Sequence, residues 1–172
     1  SLMSADLEGA DMSSANMKYA NLDGAYLKDT ILTDAQLEYA SIRDADLIYA
    51  DLEDADLYRV DLTNSYFSYA NLHGADLRSA DLTDASIYDS NFSDVDFRNA
   101  EMFSAYIDDV DFTDTNFVFA QVTESTIRNS IFDTSFFYYA DFRDTGFVYS
   151  SFDGAYFVQW NDDGATDVDG VS

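Results

Sequence analysis

A period of five residues runs through this chain and limits what it can become. Stepping by five from Leu2 to Phe157 meets 32 positions, and every one holds Leu, Ile, Met, Val or Phe. Call that residue i. Position i−2 is almost as strict: from Ala5 to Ala155 its 31 members are 19 Ala, 6 Ser, 3 Thr and 3 Val. No insertion or deletion breaks the register. A fixed short period is the signature of a solenoid, in which each repeat buries its apolar side only against its neighbours.

The spacing also suggests the path of the chain. Inward positions alternate at steps of two and three. A step of two keeps both side chains on one face of an extended segment. A step of three returns to that face only if the chain turns a corner in between. The chain therefore runs straight, turns, and coils about an axis. A long helix is excluded, because a five-residue step drifts around a helix and leaves no apolar stripe.

The residues Ala50-Asp51-Leu52-Glu53-Asp54 and Ala75-Asp76-Leu77-Arg78-Ser79 resemble the pentapeptide-repeat family, whose motif is A(D/N)LXX. The resemblance covers residues 5 to 159. It implies an all-β fold, a right-handed quadrilateral β-helix with four pentapeptides per coil, and hence about eight coils. At ~4.8 Å per coil such a rod is roughly 38 Å long. The expected division is a β-helix over residues 1–159, then a capping residue and an acidic, flexible tail over 160–172.

Composition agrees with a ladder of this kind. Proline is absent, as expected where each backbone N–H is needed. Cysteine is absent too, which removes thiolate chemistry. No apolar run approaches the ~20 residues of a membrane span. No leader pattern precedes the repeats, which favours the cytoplasm. Of 14 Phe, 11 occupy position i, whereas none of the 13 Tyr does. A phenol inside a dry column lacks a partner, so the tyrosines are expected outside or at corners. Phe92, Phe112, Phe132 and Phe152, spaced by 20, are expected to form an interior ladder.

Folding the sequence on a 20-residue coil gives four faces. Face 1 is centred on Leu2, Leu22 and Ile42, face 2 on Leu7, Leu27 and Leu47, face 3 on Met12, Leu32 and Leu52, and face 4 on Met17, Leu37 and Leu57. Face 1 carries nine acids and two bases, and face 2 carries seven acids and two bases. Face 3 carries ten acids and no Lys or Arg, while face 4 balances four acids with four bases. Tyrosine follows the opposite rule, with seven on face 2, six on face 4 and none on the other two. Two opposed acidic faces and two opposed tyrosine-bearing faces are expected.

Much of the acidity fits the repeat itself. Eleven aspartates sit at i−1, and ten at i+2, where side-chain-to-backbone bonds suit a turn. The functional reading is an acidic binding surface on face 3, made by Asp34, Asp51, Glu53, Asp54, Asp94, Asp111, Asp114 and Asp133. The net charge of −26 over roughly 38 Å is about 0.7 per Å, close to the ~0.6 per Å of duplex DNA. Some pentapeptide-repeat proteins mimic DNA and bind type II topoisomerases, especially gyrase, so the resemblance adds that alternative to a plain protein-binding scaffold. Such a charge repels phosphate, which argues against direct nucleic-acid binding.

Nothing points to an enzyme, a cofactor or a metal. The one histidine, His73, lies outward at i+1 on face 3 and reads as an incidental ion partner. The tail holds Asp167-Val168-Asp169-Gly170, which lacks the ligand spacing of a calcium loop. Arg78 and Arg98 are expected to pair with Asp76 and Asp96. A solenoid must also cover its ends. Trp160 falls where every earlier residue is small, so it is expected to cap the last coil. The N-terminal end shows no cap in the sequence. Phe136, Tyr138, Tyr139, Tyr156 and Trp160 form the expected partner or homodimer surface near the C-terminal end of face 4.

Overall fold

A computed structural model describes residues 1–158. Over that span the period of five becomes a square coil of 20 residues. Every bridge joins residues 20 apart, in parallel, from Asp6↔Tyr26 to Ile131↔Ser151. Seven of the rungs lengthen into three-residue strands: β1 Tyr66–Ser68, β2 Ser86–Tyr88, β3 Tyr106–Asp108, β4 Thr126–Arg128, β5 Phe136–Tyr138, β6 Gly146–Val148 and β7 Tyr156–Val158. On face 2 they pair in the order β1-β2-β3-β4-β6, and on face 4 β5 pairs β7. Counted by strands the longest ladder thus has five turns rather than the expected eight. The difference is one of strand length. Single-residue bridges extend the same column back through Asp46 and Tyr26 to Asp6.

One repeat shows why five residues suffice. In Asp51–Ala55, the Asp51 N–H donates down to the Thr30 carbonyl at 2.9 Å. The Leu52 and Asp54 N–H groups donate up, to Asn71 O at 2.7 Å and His73 O at 2.9 Å. The Ala55 N–H closes the corner on Leu52 O at 3.1 Å. Only the Glu53 N–H remains, and it donates to the Asp51 side chain, Oδ1, at 3.3 Å. Every donor is placed, as buried backbone requires, and only the i+1 N–H stands outside the backbone ladder.

The corner has a fixed handedness of backbone. From Ser4 to Gly154 each i+2 residue has positive φ, for example Asp34 at 56°, Tyr49 at 56° and Gly74 at 70°. Where the i→i+3 bond is also made, as from the Ala55 N–H to Leu52 O, that is a type II turn; at corners such as Ala70 and Ala105 the N–H goes to a serine hydroxyl of the next coil instead. The aspartates at i+2 are therefore there because Asp tolerates the left-handed region. Among the described residues none of them accepts a backbone bond. The side-chain-to-backbone bonds expected at i+2 belong instead to Asp and Asn at i−1, as in Thr113 N–H to Asp111 at 2.9 Å and Ile48 N–H to Asp46 at 3.0 Å.

The core is a column of i and i−2 side chains. Leu22 through Phe132 are buried at nearly every such site. Phenylalanine takes over the second half as expected: Phe112–Phe132 and Phe132–Phe152 stack with centroids 4.8 and 4.9 Å apart. Phe97–Phe117–Phe137 makes a second ladder at 5.2 Å per step. Buried serines and threonines at i−2 bond either within their own corner, as Thr30 to Leu27 O and Ser65 to Leu62 O at 2.6 Å, or across coils. Ser125 Oγ donates to Met102 O at 2.7 Å and accepts the Ala105 N–H at 3.1 Å. It thus splices into the turn one coil below. Ser135 does the same with Phe112 O at 2.6 Å and the Thr115 N–H at 3.0 Å.

Candidate functional site

With every i and i−2 side chain turned inward, the surface is written by i−1, i+1 and i+2 alone. Each of those positions recurs 20 residues on, so equivalent residues form straight columns along the rod. The expected residues on face 3 fall into these columns. Asp34, Asp54, Asp94 and Asp114 share the corner column, interrupted by Gly74. The Asp54 carboxylate folds over that glycine: a Cβ at Gly74 would lie 2.3 Å from Asp54 Oδ1. Asp51 and Asp111 stand at i−1 and each binds a corner N–H. Glu53 accepts from Asn71 Nδ2 at 3.2 Å. Asp133 accepts the Ser151 hydroxyl at 2.6 Å and the Asp153 N–H at 2.8 Å.

Asparagines tie this face lengthwise. Asn91 Nδ2 donates to Asn71 Oδ1 at 3.1 Å, and Asn71 Nδ2 donates to Asp51 at 3.0 Å. His73 Nδ1 lies 3.0 Å from Ser93 Oγ and 3.9 Å from Asp94. Its ring is exposed at the surface. Among the described residues no group of three or more His, Cys, Asp or Glu is arranged to hold a metal.

Face 4 is built differently. Lys18 pairs with Glu38 across one coil. Arg78 and Arg98 each grip the aspartate two residues before them, with Nε to Asp76 Oδ1 at 2.8 Å and to Asp96 Oδ1 at 2.9 Å. This is the pairing expected from sequence. Arg59 stacks over Tyr39 and Tyr58, and Arg78 over Tyr58 at 5.5 Å. Tyr19–Tyr39 and Phe119–Tyr139 stack at 5.1 and 5.2 Å.

Stacked carboxylates do not all behave alike here. Burial pushes Asp56 up from the usual carboxylate range, and the charges of Glu38 and Asp76 add to this. Burial also opposes ionisation of Asp76, but the Arg78 guanidinium overrides it and holds that carboxyl low. On face 1, the bond from Arg43 outweighs burial and, with Ser41, holds Asp23 at about 2.

Of the residues expected at a partner surface near the C-terminal end, four lie within the described residues. Phe136 stacks on Tyr156 at 5.1 Å, and Phe136, Tyr139 and Tyr156 are exposed. Tyr138 closes strand β5 beside them. Trp160, its capping role and the acidic tail lie outside the described residues. Sequence reasoning missed the shallow corner groove of about 390 Å³ between faces 2 and 3, lined by Tyr69, Asp89, Asn91, Asp109 and Asn129 among others. No local motif marks it, because it forms only where four successive coils align.

The repeat, the coil and the corner geometry together decide the assignment. The family model described as "Pentapeptide repeats" matches in eight copies over residues 1–34, 25–64, 45–84, 80–117 and 90–129. This chain belongs to the pentapeptide-repeat family. Its fold is the right-handed quadrilateral β-helix of that family. The structure is similar to HetL, a pentapeptide-repeat protein involved in heterocyst differentiation regulation from the cyanobacterium Nostoc. The identity is 24%, the TM-score 0.54, and the match covers 87% of this chain and 73% of that one. It is also similar to Rfr23 from the cyanobacterium Cyanothece, at 19% identity and TM-score 0.63, over 66% of this chain and 91% of that one. QnrB1, a plasmid-mediated fluoroquinolone resistance protein, matches at 16% identity with TM-score 0.41, over 97% and 88% of the two chains. The likenesses to HetL and Rfr23 concern the fold. No curated protein sequence matches the chain.

Proposed function

We propose that this pentapeptide-repeat protein is a non-enzymatic binding rod whose face 3 docks a basic surface of a protein partner. One observation carries the reading: aspartate is used well beyond what the fold needs. The i−1 and i+2 positions need only a short polar side chain that caps a corner or tolerates positive φ, and asparagine does both. Yet i−1 holds eleven Asp against five Asn, and i+2 holds ten Asp against three Asn. Face 3 then presents ten acids and no Lys or Arg on a ladder of backbone bonds between coils. A fixed array of one sign concentrates a field and steers an oppositely charged partner.

DNA mimicry is the second reading, and line charge favours it. Leaving out the four tail aspartates, −26 becomes −22 over residues 1–158. Eight rungs at ~4.8 Å then carry roughly 0.6 charges per Å, near the value for duplex DNA. The experiment is a gyrase supercoiling assay at low and moderate salt with the wild type and the variant D34N/D54N/D94N/D114N. Inhibition that fades with salt and is lost in the variant supports mimicry of DNA. Absence of inhibition at high micromolar protein removes gyrase as the partner and leaves the wider reading to partner capture.

A further inference from the structure

We infer that face 4 is a self-association surface through which two copies of this chain pack side by side, in parallel. The reading does not depend on which partner the acidic faces take. Charge singles out the face. Surplus negative charge is seven on face 1, five on face 2 and ten on face 3, but nil on face 4. Two copies meeting through any other face oppose like charges across a shared, desolvated surface, which is costly. A contact through face 4 adds no net repulsion of its own, and it leaves faces 1 and 3 on the flanks.

The orientation follows from the columns. Asp76 and Asp96 stand in the i−1 column, while Arg78 and Arg98 stand in the i+1 column of the same rungs. A two-fold axis running along the rod lays the i−1 column of one copy over the i+1 column of the other. Acid then meets base on both rungs. An antiparallel pair sets acid on acid and base on base instead. The arginines can serve both copies. A guanidinium has five N–H donors, the grip on its own aspartate uses the Nε and one Nη2 donor, and the two side chains are 43 and 45% exposed.

Aromatic residues flank this charged middle. Tyr39 and Phe119 hold positive φ, at 59° and 61°, a conformation that bulky residues rarely adopt. Both are exposed, so the corner places large apolar area outward. Aromatic and arginine residues dominate interface energetics. At the seventh rung Phe136 of one copy faces Tyr138 of the other in the parallel arrangement.

Sedimentation velocity from about 1 μM to about 1 mM tests this, a range that spans weak to firm dimers. The wild type is expected to reach twice its 19.3 kDa mass. Variants R78D/R98D and D76R/D96R are each expected to sediment as monomers, and their equimolar mixture to recover the dimer. Circular dichroism melting checks that both remain folded. A second measurement uses the absence of cysteine in the chain: N116C mixed with V118C should give the mixed disulfide on mild oxidation, since those columns meet only in the parallel pair. A monomer at about 1 mM, a dimer indifferent to both charge swaps, or a dimer in which the two cysteines stay unlinked would each overturn the inference.

Discussion

The corner residue i+2 sits at positive φ in every repeat from Ser4 to Gly154, and side chains pay for it differently. Asp and Asn tolerate it, glycine ignores it, and bulky residues lose about 1–2 kcal/mol. Tyr49 and Tyr69 offset part of that by stacking at 5.1 Å, a contact worth about 0.5–1.5 kcal/mol. Tyr149 is 85% exposed and has no such neighbour among the described residues. Tyr149→Asn should therefore raise stability by about 0.5–1 kcal/mol, read by thermal melting, whereas Tyr49→Asn should be close to neutral. Gly74→Ala should be worse than Gly9→Ala, because only the former drives a Cβ into Asp54. Asp56 offers a test by pH. Burial and then Glu38 raise its folded pKa, so the ionised form is disfavoured and the fold gains as pH falls through that value. Asp56→Asn keeps the bond from the Tyr58 N–H, now 3.2 Å long, and removes the charge. It should stabilise at pH 7 by about 0.5 kcal/mol, with the gain vanishing in acid. The opposite trend with pH would show that Asp56 is stabilised as a carboxylate.

At the scale of the single coil, position in the repeat was legible and bonding between coils was not. The small residue at i−2 and the large one at i announce the corner without any knowledge of the coil. What Ser125 does cannot be read there, because its partners Met102 and Ala105 lie 23 and 20 residues away. The same holds for aspartate: the sequence shows Asp at both i−1 and i+2, but only the path of the corner assigns the backbone bond to i−1. Ser125→Ala leaves a buried carbonyl and a buried N–H without partners, a loss of about 1–3 kcal/mol. Hydrogen exchange at Ala105 should accelerate accordingly, and more than exchange at Ser65 in Ser65→Ala, which removes one bond to Leu62. Between coils, Asp23 is held at about 2 by Arg43 against burial. Its folded pKa lies below the ~3.9 of an unfolded chain, so its contribution is present above that pH and is lost as pH falls toward 2. Arg43→Ala should flatten the acid limb of a stability–pH curve. An unchanged limb would mean that the pair contributes nothing.

Over the whole molecule, function can be written only in the outward columns, and the sequence already sorts them by face. Acid on faces 1 and 3 and tyrosine on faces 2 and 4 follow from counting on a 20-residue coil. That number came from the family resemblance, and the bridges bear it out. The pairings within a face were partly legible. Arg78 and Arg98 with their aspartates could be foreseen from a spacing of two, whereas the stacks Tyr19–Tyr39 and Phe119–Tyr139 needed the corner to aim both rings outward. If the acidity of face 3 serves binding, charge and fold should separate cleanly there, because Asn fills the same corner geometry. The most direct measurement compares partner capture by the wild type and by D34N/D54N/D94N/D114N, after melting curves show that the two are equally stable. The account predicts proteins that the wild type retains at low salt, releases as salt rises, and that the variant fails to retain. Equal retention by both rods, indifferent to salt, would contradict it and make the acidity of face 3 a by-product of the repeat.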